Sequence, residues 1–461
     1  MTLMTNKQIS LPIILSVVGH TNTGKTSLVR TLMRNSDFGE IDNRAGTTRH
    51  VESAQIFLGD KAFLELRDTP GLEDSVALAE RLQALTSAHL SGRDTLLSFV
   101  KDSANKKEFD QELKVLNQIL ISDIILYVID CREPVLEKYL FELRCLSMAA
   151  KPIIPVLNFI EKSGNHKTEW RKTLADFNFH SLVEFDTVAF SFDAEKRLYR
   201  KFQTVLEPYY ALLETFIQQR EEDWLALRHA CIQCSSEFML AVSKIQVTVD
   251  TTTADKNAEV EASARLQNTV RVKEKEQLGR ILQLLQFSAD DIQYANVPIK
   301  DGRWTLDLFA PEALKKFGID TASAAATGAA IGVGVDVMLA GLSLGTATLA
   351  GAILGSSWST GKRFGKQLLA RYRGQYVIGL DQPTITLLLA RQAHLLDALF
   401  HRGHAAQQQL MLGDDKVTKL DYSEPLQVLK KVQNLAVSDD EELEADITQV
   451  LNNWFTTVTS A

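Results

Sequence analysis

The sequence predicts an α/β domain built on a mostly parallel sheet, followed by an all-α domain. Three observations predict it. Gly19-His20-Thr21-Asn22-Thr23-Gly24-Lys25-Thr26 fits the pattern G-x-x-x-x-G-K-[ST], with an apolar run (Leu11 to Val18) before it and a helix-compatible run (Ser27 to Met33) after it. That is the strand–loop–helix setting in which the pattern has physical meaning. Strand-like and helix-like segments then alternate to about residue 215, as α/β domains do. From Ser191 onward strand signals nearly vanish. The expected organisation is an α/β P-loop NTPase domain over 1–215 and an α-helical domain over 216–461.

The loop itself predicts a nucleotide phosphate. Its glycines let backbone N–H groups turn inward around the anion, and the following helix aims its positive end at the same place. Asn22, Thr23, Gly24, Lys25, Thr26 and Ser27 are the expected phosphate contacts. Lys25 would reach the β- and γ-phosphates, and the Thr26 hydroxyl would ligate magnesium.

Strands are expected at Leu11–Val18, His50–Leu58, Ala62–Leu66, Ile124–Ile129, Ile153–Asn158 and Val183–Phe190. The run Ile124-Ile125-Leu126-Tyr127-Val128-Ile129 is continuously apolar, as a central strand buried on both faces should be. Gly59-Asp60 predicts a hairpin, so one edge strand is antiparallel. Two further elements follow the loop in order. In Ala45-Gly46-Thr47-Thr48-Arg49 a threonine hydroxyl can complete a magnesium shell when a γ-phosphate is present, which makes the segment a switch. In Asp68-Thr69-Pro70-Gly71 the carboxylate can hold a magnesium-bound water, and the Gly71 N–H can approach a γ-phosphate.

On GHTNTGKTS (19–27), AGTTR (45–49) and DTPG (68–71) the first part of the chain resembles a TrmE/Era-type G domain of bacterial GTPases. The resemblance implies GTP and GDP as ligands and magnesium as cofactor, with Thr26, Thr48 (Thr47 in second place) and Asp68 around the metal. Lys25, Thr48 and Gly71 become the catalytic candidates. Leu72 stands where many small GTPases carry the glutamine that orients water, and leucine cannot hydrogen-bond water. Members with a hydrophobic residue there often use potassium, held by an asparagine at the position of Asn22. The plainer reading of Asn22 is that it satisfies loop backbone groups. A homodimer through the G domain is a further expectation.

The chain also departs from the pattern. The family reads guanine with N-K-x-D, and here Asn158-Phe159-Ile160-Glu161 stands in that place. Asn158 and Glu161 remain the base-side candidates, and Phe159 replaces the lysine that lies along the base. Val188-Ala189-Phe190-Ser191 is the nearest match to the family's last base-side loop. A longer stretch, Asp74 to about Ser122, predicts extra amphipathic helices.

In the second half, Glu207–Glu221 and Trp224–Leu240 have helical spacing, with Pro208 suited to a first turn. Cys231-Ile232-Gln233-Cys234 lacks a second pair for zinc and is expected to pack in a core. The stretch 318–361 is nearly free of charge and rich in small residues, with Gly328/Gly332, Gly341/Gly345 and Gly351/Gly355 four apart. Small residues at that spacing let helices approach closely. Two readings stand: a hairpin entering a membrane from the cytoplasmic side, flanked by Lys315, Lys316, Lys362, Arg363, Lys366, Arg371 and Arg373, or a glycine-rich hairpin packed in a soluble core. The whole chain resembles a bacterial group that joins a TrmE/Era-like G domain to an uncharacterised helical domain.

The bulk chemistry bounds the function. The chain has 461 residues, a net charge of −8 and four cysteines. The acidic balance argues against broad nucleic-acid binding, and four cysteines make no disulfide scaffold. The N-terminal apolar run flows into the phosphate loop rather than forming a signal pattern, so a cytoplasmic setting is expected. The expected function is GTP hydrolysis to GDP and phosphate as a molecular switch. The competing expectation is a nucleotide-binding scaffold without turnover, whose helical domain engages a membrane or protein partner.

Overall fold

Burial of both faces of one strand explains the layering of the first domain. In the computed structural model, β4 (Ile124–Asp130) is buried at all seven positions. Its successive side chains point to opposite faces: Ile124, Leu126 and Val128 enter one core, and Ile125, Tyr127 and Ile129 enter the other. The structure describes residues 11–35, 51–86, 90–160, 164–250, 256–287, 299–300, 303–304, 306–317, 319, 334–335, 375–402, 420–435 and 441–460.

The central sheet has six strands in the order β2-β3-β1-β4-β5-β6. These are β1 (Ile13–Val18), β2 (Glu52–Leu58), β3 (Lys61–Asp68), β4, β5 (Ile153–Asn158) and β6 (Val183–Glu184). All neighbours pair in parallel except the edge hairpin β2/β3, which turns at Gly59 with φ 59°. This is the expected mostly parallel sheet with one antiparallel edge. Its last strand is shorter than the expected Val183–Phe190, because Asp186 Oδ1 accepts the Val188 and Ala189 N–H groups and turns the chain out of the ladder.

Helices cover both faces. On one side lie α1 (Lys25–Met33), α7 (Phe192–Val205) and the start of α8 (Tyr210–Ser243), through Leu28, Leu32, Leu198, Phe202 and Phe216. On the other lie α2 (Ser75–Leu85), α3 (Gly92–Lys101), α4 (Asp110–Ile121), α5 (Glu137–Ser147) and α6 (Lys167–Asp176), through Leu78, Leu96, Leu116, Leu143 and Trp170. The stretch from Asp74 to Ser122 thus thickens this second layer.

The chain divides into two compact units, Met1–Ala226 with His401–Gln409, and Leu227–Phe400 with Leu410–Ala461. The expected boundary at 215/216 falls inside α8, which runs unbroken because no glycine or proline interrupts it. Pro208 lies in the 3-10 turn Glu207–Tyr209 just before that helix.

The second unit is helical. It contains the remainder of α8 with α9 (Lys256–Leu285), α10 (Pro311–Lys316), α11 (Gln382–Phe400), α12 (Ser423–Leu435) and α13 (Glu441–Ser460). Its core includes Cys231, Cys234, Met239, Leu266, Ile281, Leu388, Leu451 and Phe455. Both cysteines are free thiols, and among the described residues no three His, Cys, Asp or Glu side chains are grouped so as to hold a metal ion. Short strands accompany the helices: β7 (Val247–Asp250), the pair β8 (Ile299–Lys300) and β9 (Arg303–Trp304), β10 (Gly334–Val335) and β11 (Gln375–Gly379). They form an antiparallel sheet β10-β11-β7 and the two-stranded β8-β9. Gly334 and Val335 are therefore extended, not helical. The rest of the 318–361 hairpin, apart from Ile319, lies outside the described residues. Among the described residues no helix is long and apolar enough to cross a membrane.

Candidate nucleotide site

The loop Gly19–Thr26 leaves the carboxyl end of β1 and turns directly into α1. Asn22 (φ 64°) and Gly24 (φ 92°) both adopt left-handed backbone, which curls the loop. Glycine takes that conformation without penalty. A side chain at Gly24 would also run into Asn158 Nδ2, so the loop can close only on glycine there.

Inside the loop, Lys25 Nζ donates to the His20 carbonyl at 2.9 Å and Thr23 Oγ1 donates to the same oxygen at 3.0 Å. Burial lowers the pKa of Lys25 below the usual lysine value, against the opposing pull of Asp68, Glu142 and Glu73. A phosphate would offer that ammonium a stronger partner than a neutral carbonyl. Ser27 is buried in the first turn of α1. The Asn22 side chain is exposed and bonds no described residue, so the plainer reading of it as a loop-backbone partner finds no such bond here.

At the end of β3, Asp68 is fully buried, and Thr26 Oγ1 donates to its Oδ2 at 2.5 Å. Its other oxygen, Oδ1, has no hydrogen-bond partner among the described residues. Burial raises the Asp68 pKa to about 6, held back by the Thr26 hydroxyl and the Lys25 charge. A buried carboxylate oxygen without a partner is costly unless something occupies it. Hydroxyl and carboxylate are the oxygen donors that suit magnesium. Thr26 and Asp68 therefore fit a divalent cation. Thr48 and Thr47 lie outside the described residues.

Gly71 closes against the loop. A Cβ there would lie 2.9 Å from Thr21 N and 3.0 Å from Thr21 Cα, so only glycine permits this approach. The next residue, Leu72, donates its N–H to Gly19 O at 3.4 Å while its side chain is buried in the core. It presents nothing to water.

Asn158, the last residue of β5, joins three segments. Its Nδ2 donates to Thr23 O at 2.9 Å, and its Oδ1 accepts from Phe159 N (2.9 Å), Thr187 N (3.0 Å) and Thr187 Oγ1 (3.1 Å). Thr187 was not among the expected site residues, although it immediately precedes the weak match at 188–191. Of that match, Phe190 is buried against Trp224 with ring centroids 5.3 Å apart. Glu161 lies outside the described residues.

His20 is a second residue that the motif left unread. Its Nδ1 lies 2.8 Å from Glu142 Oε1, and its Nε2 lies 3.0 Å from Lys138 Nζ. An ammonium can only donate, so Nε2 accepts and Nδ1–H faces the carboxylate. Glu142 also accepts from Tyr127 Oη at 2.8 Å. The second position of the loop is thus fixed to α5 and β4.

Two family profiles match the chain. That of the 50S ribosome-binding GTPases covers residues 14–159, and that of the domain of unknown function DUF3482 covers residues 171–456, more than half of the chain. The chain belongs to the DUF3482 family. Ahead of its DUF3482 region it carries a GTPase domain of the Era/MnmE/Der kind. The chain is similar to the tRNA modification GTPase MnmE of Mycoplasmoides gallisepticum, 31% identical over 105 residues, which are 23% of each chain. It is similar to GTPase Era of Campylobacter jejuni, 28% identical over 200 residues, 42% of this chain and 65% of Era. A crystal structure of Era with MgGDPNP and nucleotides of 16S ribosomal RNA matches 38% of this DUF3482 chain and 50% of its own, at 19% identity and a TM-score of 0.27. The chain thus spans less than two thirds of these relatives.

Proposed function

We propose that the chain is a GTP-binding switch that hydrolyses GTP to GDP and phosphate. The observation that carries this reading is the Thr26–Asp68 pair, with its unpartnered carboxylate oxygen, beside the loop that holds Lys25. When nucleotide binds, Lys25 exchanges the His20 carbonyl for phosphate oxygens, and the loop N–H groups surround the same anion. Thr26 and Asp68 would hold magnesium, with Thr48 as the proposed further ligand, and the ion would neutralise phosphate charge. The Gly71 N–H would contact the γ-phosphate, so loss of that phosphate would release the segment after β3, which is the proposed switching step.

Leu72, at the place of the water-orienting glutamine, is buried and offers a water no polar side-chain atom. Unassisted turnover is therefore slow. Potassium at Asn22, whose exposed amide bonds no described residue, is the proposed aid. The same burial of Leu72 favours a second reading, a nucleotide-binding scaffold with negligible turnover. Cytoplasmic location, a homodimer through the first domain, and a membrane surface or membrane-protein partner for 318–373 remain proposals resting on sequence character alone.

Equilibrium titration of the full chain with GTP, GDP, ATP and ADP in magnesium tests the reading. Tight binding of guanine nucleotides, lost in Lys25→Ala, is the expected result. Absence of nucleotide binding would overturn it.

A further inference from the structure

Two segments of the first unit, far apart in sequence, meet at a point that the nucleotide reading leaves unused. Ala189 forms an antiparallel bridge with Arg402, and the Phe190 N–H donates to the His401 carbonyl at 3.0 Å. His401 follows directly on Phe400, the last residue of α11, where the chain passes from the second unit back to the first. The Phe190 ring packs edge-on against Trp224, and Phe192 stacks on the same indole with centroids 6.3 Å apart. Trp224 lies on α8, two residues before the chain leaves the first unit at Ala226. Two of the connections between the units are thus anchored on the segment 189–192.

Two routes lead from the phosphate loop to this segment. In the first, Asn158 joins Thr23 O to Thr187. Asp186 Oδ1 then takes the Val188 and Ala189 N–H groups (2.9 and 3.3 Å), which closes 186–189 into a turn that ends at Phe190. In the second, α1 runs from Lys25 to its cap Arg34, whose guanidinium lies over the Trp224 ring, 5.0 Å from the centroid. About one turn before Trp224 on α8, Arg220 Nη2 donates to Leu32 O at 3.0 Å. That oxygen is one of the last four carbonyls of α1, which a helix leaves open, and a cation suits the negative end of a helix.

We propose that the turn 186–190 is the coupling element of the switch: nucleotide in the phosphate loop and the pairing of Phe190 with His401 stabilise one another. Asp186 is the positioning residue that makes the turn stiff enough to pass the restraint on. The inference rests on the nucleotide reading above and adds the element through which that site is regulated. Nucleotide phosphates fix Thr23, Asn158 carries the restraint to Thr187, and Asp186 carries it to the Phe190 N–H. Coupling travels through contiguous bonded groups that can hold two arrangements, and it is reciprocal. Whatever displaces the chain at His401 therefore changes nucleotide affinity.

Hydrogen exchange over 186–192 of the full chain, read by mass spectrometry with and without saturating GDP in magnesium, tests the coupling. GDP should slow exchange there about fivefold or more, the lower end of ordinary coupling between sites. Asp186→Ala opens the turn but keeps the bonds between Asn158 and Thr187. At saturation it should bind GDP without the slowing, and Asp186→Asn, which keeps Oδ1, should restore it. Slowing that persists in Asp186→Ala would mean that nucleotide protects the segment directly, and it overturns the relay. In the reverse direction, Phe190→Pro removes the N–H that His401 O accepts. It should weaken GDP about fivefold or more while circular dichroism keeps the wild-type helical signal, and unchanged GDP affinity contradicts the coupling. A wild-type chain that binds GDP with no slower exchange over 186–192 overturns this inference alone. One that binds no nucleotide removes the nucleotide reading and this inference with it.

Discussion

Thr26 Oγ1 donates a hydrogen bond of 2.5 Å to Asp68 Oδ2, joining the first turn of α1 to the end of β3. The bond brings together a hydroxyl from the loop motif and a carboxylate from DTPG. Burial raises the Asp68 pKa to about 6, so the ionised carboxylate needs a cationic partner more than an exposed one would. Asp68→Asn and Thr26→Ala should each abolish the dependence of nucleotide affinity on magnesium. Titrations with magnesium and with chelator read this directly, and a magnesium dependence unchanged in both variants would contradict it.

Gly71 is held to glycine by contact with Thr21 rather than by backbone conformation. Gly71→Ala should displace the loop and weaken GTP binding at least tenfold. Gly279→Ala is the control, because nothing lies within 4 Å of the added carbon and Gly279 sits inside α9. There the substitution should stabilise the chain by up to about 1 kcal/mol, seen as a higher melting temperature.

Asn158 donates one bond and accepts three. Asn158→Asp keeps the acceptors and loses the donor to Thr23 O, placing a charge against a carbonyl. Nucleotide affinity should fall by more than in Thr187→Val, which loses a single accepted bond worth about 1 kcal/mol. Equal losses in the two variants would show that the tie to the loop is unimportant.

Glu195 on α7 is fully buried, between Arg220 (2.5 Å), Arg34 (3.3 Å) and the Tyr199 hydroxyl (2.9 Å). Burial alone would raise its pKa, but Arg220 and Arg34 outweigh burial and hold it below the usual glutamate value. The folded chain therefore binds this proton less readily than the unfolded chain. The resulting stability is fully present above the unfolded pKa and is lost as pH falls through the folded one. Denaturant melts should show Glu195→Gln with a flatter loss of stability below about pH 4.5 than the wild type. Glu195→Ala should cost about 3–5 kcal/mol at neutral pH, because two guanidinium groups lose their partner.

The parts of the fold that are legible in sequence are those with local causes. The apolar run of β4, the strand–loop–helix around Lys25 and the edge hairpin at Gly59 each carry their own chemistry. The truncation of β6 was not legible, because it depends on Asp186 Oδ1 capturing two N–H groups in a loop. The role of Thr187 was hidden for a similar reason: its partner Asn158 lies on another strand. In the second unit the strands β7 and β11 are short and far apart in the chain, and pairing of that kind leaves almost no periodic signal. The unbroken course of α8 shows the converse: the polar pair Glu222-Asp223 falls between the two expected helices although nothing there breaks a helix.

The central claim is turnover at this site. Phosphate release from GTP by the full chain should be measured in magnesium with potassium and again with sodium, beside Lys25→Ala and with ATP in place of GTP. The account predicts slow release from GTP that is faster in potassium, absent in Lys25→Ala and much weaker from ATP. Release no greater than that of Lys25→Ala in either salt would contradict it and leave the non-hydrolysing scaffold.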